Sequence, residues 1–511
     1  MRGSRSIASR RAARFAASAA LAALAVLAAG CGRGSEPAFE RPLRIALYNA
    51  PLTLDPHRRN ELLTFAVLRN IYDGLTAFDA GAKVGPALAE RWENPNDVTW
   101  VFHLRPGVRF HDGRPLTAAD VVFSLERARH DPGSNVGSYL VAIDRIRAVD
   151  PLTVEITTAR PYPILLNKLA FVLIVPEGSP AEIREPVGTG PYRLVKATEN
   201  HLELEAFPGY WGAPPAIRRV EFVAVPSVEE RVRLLLGGGV DIAQEPGIEN
   251  VVRIRDAPGC RILEEDSLGI IFLIVRKDRP PFDDLRVRQA INLALDRAAL
   301  VQTALQGEGV PAGQMVGRNV FGYAPDIAVP KPDLERARRL LAEAGHPNGL
   351  DVEVQFRPGR RAELEPVARQ LAAVGVRLRL VERPWAELFP ALVAGDVNFY
   401  FGGWFCLSAD ASDFFDATVH SRGPNLYGAS NFNHYVNPEL DRAIEESART
   451  VDLLARRRQL EGCMHLLMDD LAFIPLYSPA VVFGARSDVE WQVRRDGLIL
   501  AATIRRRPAE R

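Results

Sequence analysis

The chain has a single long apolar run, and it lies at the extreme N-terminus. Residues 15–30, mostly Ala and Leu, follow a basic segment carrying Arg2, Arg5, Arg10, Arg11 and Arg14. These 16 residues fall short of what a spanning helix requires, about 20. The run therefore reads as the core of a signal peptide (residues 1–30) and is set aside from the fold. The Arg10-Arg11 pair lacks the rest of a twin-arginine motif. Beyond Gly30 remain 481 of the 511 residues. A single core stops growing at about 250–300 residues, so two or three lobes are expected.

Composition narrows the partners. With 47% hydrophobic and 25% charged residues the chain is ordinary for a globular protein. Its 63 basic and 63 acidic residues cancel, so no broad field favours nucleic acid or an anionic membrane surface. Three cysteines follow Cys31, namely Cys260, Cys406 and Cys463. That is too few for a disulfide framework: at most one bridge can form, and the plainer reading is small buried hydrophobes.

Local patterns predict mixed elements. Leu43, Ile45 and Leu47 alternate as in a strand. Trp100, Phe102 and Leu104 alternate, Pro106-Gly107 offers a turn, and Val108-Arg109-Phe110 is expected to return as the second arm of a hairpin. Thr117-Ala118-Ala119-Asp120 resembles an acidic capping box, with Val121, Val122, Leu125 and Ala128 on one helix face. A short strand is expected at residues 152–157. One helix is expected over residues 285–305, opened by Asp283 and Asp284, its buried face marked by Val287, Ala290, Ile291, Ala294, Leu295, Ala298 and Val301. Another is expected over 333–344, stopped by Gly345 with Pro347 beyond. No internal repeat appears, and the reading is α/β lobes.

Two resemblances sharpen this. Leu27-Ala28-Ala29-Gly30-Cys31 resembles the lipobox of bacterial lipoproteins, with Ala28 where Leu is usual; it implies diacylation of Cys31 and a tether over residues 31–42. The second rests on motifs spread along the chain: Leu52-Thr53-Leu54-Asp55-Pro56, Ile71-Tyr72-Asp73-Gly74-Leu75, Pro86-Ala87-Leu88-Ala89-Glu90, the run from Phe102 through His111-Asp112-Gly113 to Leu125, Gly188-Thr189-Gly190-Pro191-Tyr192 and Tyr210-Trp211-Gly212. In this order they resemble the solute-binding lipoproteins of bacterial dipeptide and oligopeptide ABC importers, the peptide/nickel-binding family. The resemblance implies a two-lobed, periplasmic-binding-protein-like α/β fold with a hinge. Lobe I would span residues 43–266, with an extra subdomain, and regain residues 474–511; lobe II would span 267–473. Most motif residues carry a structural reading as well. Gly188 and Gly190 lack the spacing of a dinucleotide loop, and His103 and His111 have no ligand cluster beside them, so no metal site and no cofactor are expected.

For the ligand, the resemblance points to the loop from Gly403-Trp404 onward. Trp404 would line the pocket, against the alternative of a core Trp. In peptide-binding members an acid three places after the Trp pairs with the ligand's amine; here that place is Leu407. Asp410 matches the Asp of an Asp-Pro pair whose Pro is replaced by Ala411. Asp410 or Asp413 would then take over the amine, unless the ligand has none. Arg357, Arg360 and Arg361 precede a predicted helix and would form either a carboxylate clamp or a solvated basic loop. Expected partners are a peptide or other small polar solute, the permease, and the membrane through the N-terminal lipid, the protein acting as an extracytoplasmic monomer. Rival readings are a binding protein for a sugar, an opine-like conjugate or a metal chelate, an exported hydrolase, and a surface protein with a protein partner. Gly-x-Ser-x-Gly, His-Glu-x-x-His, Cys-x-x-Cys and Walker patterns are all missing, which weakens the hydrolase.

Overall fold

Leu43–Leu47 (β1) runs parallel to Arg219–Ala224 (β2) on one side and to Ile242–Gln244 (β3) on the other. Strands so placed are covered on both faces, which is why Ile45, Ala46 and Leu47 are all buried instead of alternating. The computed structural model describes residues 41–423 and 427–507. Cys31 and the segment to residue 40 lie outside the described residues. Cys260–Asp266 (β4) and Gly269–Val275 (β5) come next, and β5 is buried along its whole length. In the second lobe Leu350–Phe356 (β6) lies parallel to both Val376–Glu382 (β7) and Phe399–Phe405 (β8), and β8 pairs antiparallel with β5.

The last long strand, Phe473–Arg486 (β9), belongs to both lobes. Phe473, Ile474, Pro475 and Tyr477 pair with β5, whereas residues 480–486 pair with β4 and residues 483–485 with β3. The chain thus passes between the lobes at 266–269 and again at 477–480. The start of β9 is registered on β5 and buried in the core on that side. The extra subdomain of the first lobe is an antiparallel sheet in the order Ala89–Asn96, Thr99–Leu104, Thr153–Thr158, Ile143–Asp150. Helix Ala118–His130 covers it, with Val121, Leu125 and Ala128 packed among Phe102, Leu104, Val154 and Ile156. As expected, Asp120 accepts the Thr117 backbone N–H at 2.8 Å to cap that helix.

Two expectations are corrected. Val108-Arg109-Phe110 does not pair with Thr99–Leu104, whose neighbours are Ala89–Asn96 and Thr153–Thr158. It turns instead at Asp112-Gly113, so that Leu116 donates to Val108 and Phe110 to Arg114. The helix over 285–305 is two helices, Leu285–Leu293 and Arg297–Ala304. Asp296 caps the second by accepting from the Ala299 N–H at 2.9 Å. The buried guanidinium of Arg297 donates to the Pro475 carbonyl at 2.8 Å, and the face resets so that Ala298 is exposed and Leu300 buried.

The shared motifs hold the first lobe together. Asp73 accepts from the Thr189 hydroxyl at 3.0 Å and the Trp211 indole N–H at 2.9 Å, joining three distant segments at one carboxylate. Asp55 is fully buried and accepts two hydrogen bonds from Arg127, at 2.5 and 3.1 Å. A Cβ on Gly188 would lie 2.0 Å from the Ile71 carbonyl oxygen, so close backbone approach, with no role for phosphate, accounts for this glycine. His111 accepts from the Gly188 N–H at 3.3 Å and donates to the Gly190 carbonyl at 3.0 Å. Cys260, Cys406 and Cys463 are all free and buried.

Candidate functional site

The second-lobe sheet is parallel across β7, β6 and β8, and in such sheets the loops at the carboxyl ends of the strands converge on ligands. Here β6 runs out into Arg357 and β7 toward Trp385, and β8 carries Trp404 next to its last residue, with the loop following. The sequence candidates are brought to one edge by this topology, but they do not all remain available.

Trp404 is half-buried beside Phe414, ring centroids 6.2 Å apart, and its indole N–H has no hydrogen-bond partner. The loop beyond it is pinned: Cys406 donates its backbone N–H to Leu268, and Ala409 and Ala411 bracket Phe321 through backbone hydrogen bonds. Asp410 is buried and held through both oxygens by Arg456, at 2.5 and 2.8 Å, with the Ser412 hydroxyl on the same carboxylate. Its charge is thus neutralised within the second lobe. Arg360 is likewise committed to Glu363, which also accepts from the Tyr477 hydroxyl at 2.8 Å. Arg361 faces Glu382 at 3.6 Å. Arg357 differs: it is exposed, with its guanidinium 5.6 Å from the Trp385 ring centroid.

Asp413 and Leu407 face the first lobe. Asp413 binds the Lys168 ammonium at 2.5 Å, and one residue earlier Asn167 donates its side-chain amide to the Ser408 carbonyl at 2.7 Å. Burial alone would lower the Lys168 pKa, but Asp413 outweighs it and keeps the ammonium charged well above its ordinary value. Leu407 meets Arg59, Phe65, Val136, Tyr139 and Phe171, leaving a void of about 10 Å³, room for one water. A wider cavity of about 340 Å³ has only first-lobe walls, including Leu52, Arg58 and Glu182; Arg59 lines both spaces. Near Asp413, burial pushes the Asp416 carboxyl up to about 7, and one of its oxygens has no partner.

The first-lobe half of this arrangement, Arg59, Tyr139, Asn167 and Lys168, was not legible in the sequence. None sits in a motif, and Lys168 lies on a five-residue helix, Leu165–Leu169. Among the described residues no helix is long and apolar enough to cross a membrane.

Comparison with known proteins agrees with this architecture. Residues 83–425 match the bacterial extracellular solute-binding proteins, family 5 (middle region). The dipeptide-binding protein of Escherichia coli K12 is 29% identical over 453 residues, covering 81% of this chain and 84% of the relative. Heme-binding protein A of Haemophilus influenzae is 27% identical over 468 residues, covering 84% and 85%. The solved structure of HbpA2 from Haemophilus parasuis superposes with a TM-score of 0.81 at 25% identity, covering 92% of this chain and 100% of that one. The match, residues 83–425, takes in the subdomain, the first crossing and the Trp404 loop, and the chain belongs to the family 5 bacterial extracellular solute-binding proteins.

Proposed function

We propose that this protein is the capture component of an ABC importer, which holds a short peptide or similar small polar solute between its lobes and delivers it to the permease without chemical change. The observation that carries this is the Trp404–Asp413 region facing Lys168, Tyr139 and Phe171 across the crossings, since a solute enclosed there would exchange its water for groups of both lobes. Closure about the two crossings would then be a hinge motion. Trp404 would supply a ring face and an unpaired N–H, and Arg357 an exposed guanidinium for a carboxylate. Asp410 and Arg360 would act by shaping the loop and the Arg357 turn, their charges being taken up by Arg456 and Glu363. Dipeptide-binding and heme-binding relatives support solute capture and leave the cargo open between peptide and non-peptide. The protein would work as a monomer, with no cofactor, and be anchored outside the cytoplasm by a lipid on Cys31.

The test is mass spectrometry of small molecules released when gently purified protein is denatured, followed by calorimetry with the molecule found. One polar solute rebinding at one per chain is the expected result. A protein that releases nothing, binds nothing and turns over a substrate would overturn the reading.

A further inference from the structure

A ligand ammonium enclosed between lobes needs a carboxylate, because an unpaired buried charge is strongly disfavoured. The walls around Leu407 do not offer one. Leu407 itself is apolar, its facing residues include Phe65, Tyr139 and Phe171, and the one charged side chain among them, Arg59, has no acidic partner among the described residues. The acid of the Trp404 loop that faces the first lobe is Asp413, and the chain has already placed a cation on it: the Lys168 ammonium, 2.5 Å away and largely withdrawn from solvent. A ligand amine reaching Asp413 would have to displace Lys168, stranding one buried ammonium to satisfy another. Asp416 behind it is buried, and in its protonated form it adds no anion to attract an amine.

Resting on the solute-capture reading, we propose that Lys168 is a built-in substitute for a ligand ammonium, so that the cleft selects a solute with no free amine, carrying an apolar or anionic group beside Leu407 and Arg59. The same contact explains how Leu407 is tolerated: the charge compensation that an acid and a ligand amine would supply is supplied here by two residues of the chain.

Two readouts decide. First, the solute released from purified protein is treated with dansyl chloride; it should not label, and a labelled primary amine would overturn the proposal. Second, calorimetry compares Ala-Leu with N-acetyl-Ala-Leu. Wild type should prefer the acetylated form, and Lys168→Met, which frees Asp413, should shift the preference toward the free amine by about tenfold. Lys168→Arg keeps the cation and should keep the wild-type preference, and Lys168→Met with Asp413→Asn should abolish the shift. Wild-type preference for the free amine, or no shift in a folded Lys168→Met protein, overturns the proposal. If neither dipeptide binds, the labelling result decides alone. A protein that holds no solute and binds none defeats solute capture itself, and the inference falls with it.

Discussion

Glu264 and Glu308 are hydrogen-bonded carboxyl to carboxyl beside the chain crossings, one from each lobe, with Arg255 on Glu308 at 2.7 Å. Such a bond requires a proton on one of the two. The shared bond, with partial burial and the neighbouring Glu308 charge, raises Glu264 from 4.5 to about 7, and Arg255 opposes this. The folded value lies above the unfolded one, so folding takes up a proton. The contact is fully present below about pH 4.5 and is lost as pH rises through about 7. Between pH 5 and 8 the melting temperature of the wild type should therefore fall relative to Glu264→Gln, which keeps a donor at every pH. A constant difference across that range would contradict this account.

Asp410→Asn should cost stability and leave ligand recognition to other groups. It strands the buried Arg456 guanidinium, and breaking such a pair typically costs about 3–5 kcal/mol. Chemical denaturation measures the loss, and the affinity of the refolded variant for the native solute should stay close to wild type.

Trp404→Ala should act in the opposite way. Ring stacking contributes about 0.5–1.5 kcal/mol beyond area burial, so affinity should fall about 2- to 12-fold by calorimetry with circular dichroism unchanged. An unchanged affinity would assign the ring to the core around Phe414.

Gly188→Ala places a Cβ against the Ile71 carbonyl, where the backbone must shift. Overpacking of this kind costs about 1–3 kcal/mol. Gly462→Ala is the matched control: the added methyl meets nothing within 4 Å inside helix Leu453–Asp470, and removing a helical glycine should stabilise by about 0.5–1 kcal/mol.

Cys31→Ala should leave the protein unprocessed or shed it from the membrane fraction, since a diacylglycerol is the anchor that the N-terminal motif implies. Fractionation followed by intact-mass measurement checks both outcomes.

Elements whose signals are local were readable in the sequence. The Thr117–Asp120 cap and the helix that Asp333 opens, Leu334–Glu343, depend on residues three or four places apart. The hairpin was misread because Thr99–Leu104 takes a partner from Thr153–Thr158, and nothing near Pro106-Gly107 announces so distant a strand. The 285–305 helix was misread because apolar spacing survives the break, and Asp296 alone marks it. At the site, the motif around Trp404 located the loop but could not apportion its charges. Arg456 lies 46 residues from Asp410, and Lys168 lies 245 residues from Asp413. Which acid stays free is a tertiary fact.

The strand Phe473–Arg486 has a consequence for biogenesis. It pairs with β5 in one half-sheet and lies between β3 and β4 in the other. Until these residues leave the ribosome, neither half can seal its hydrophobic centre, however complete the rest of its sequence. The nascent polypeptide is thereby kept from maturing early, the condition in which a chain can be threaded across a membrane, and both halves lock together only when the C-terminal tenth arrives.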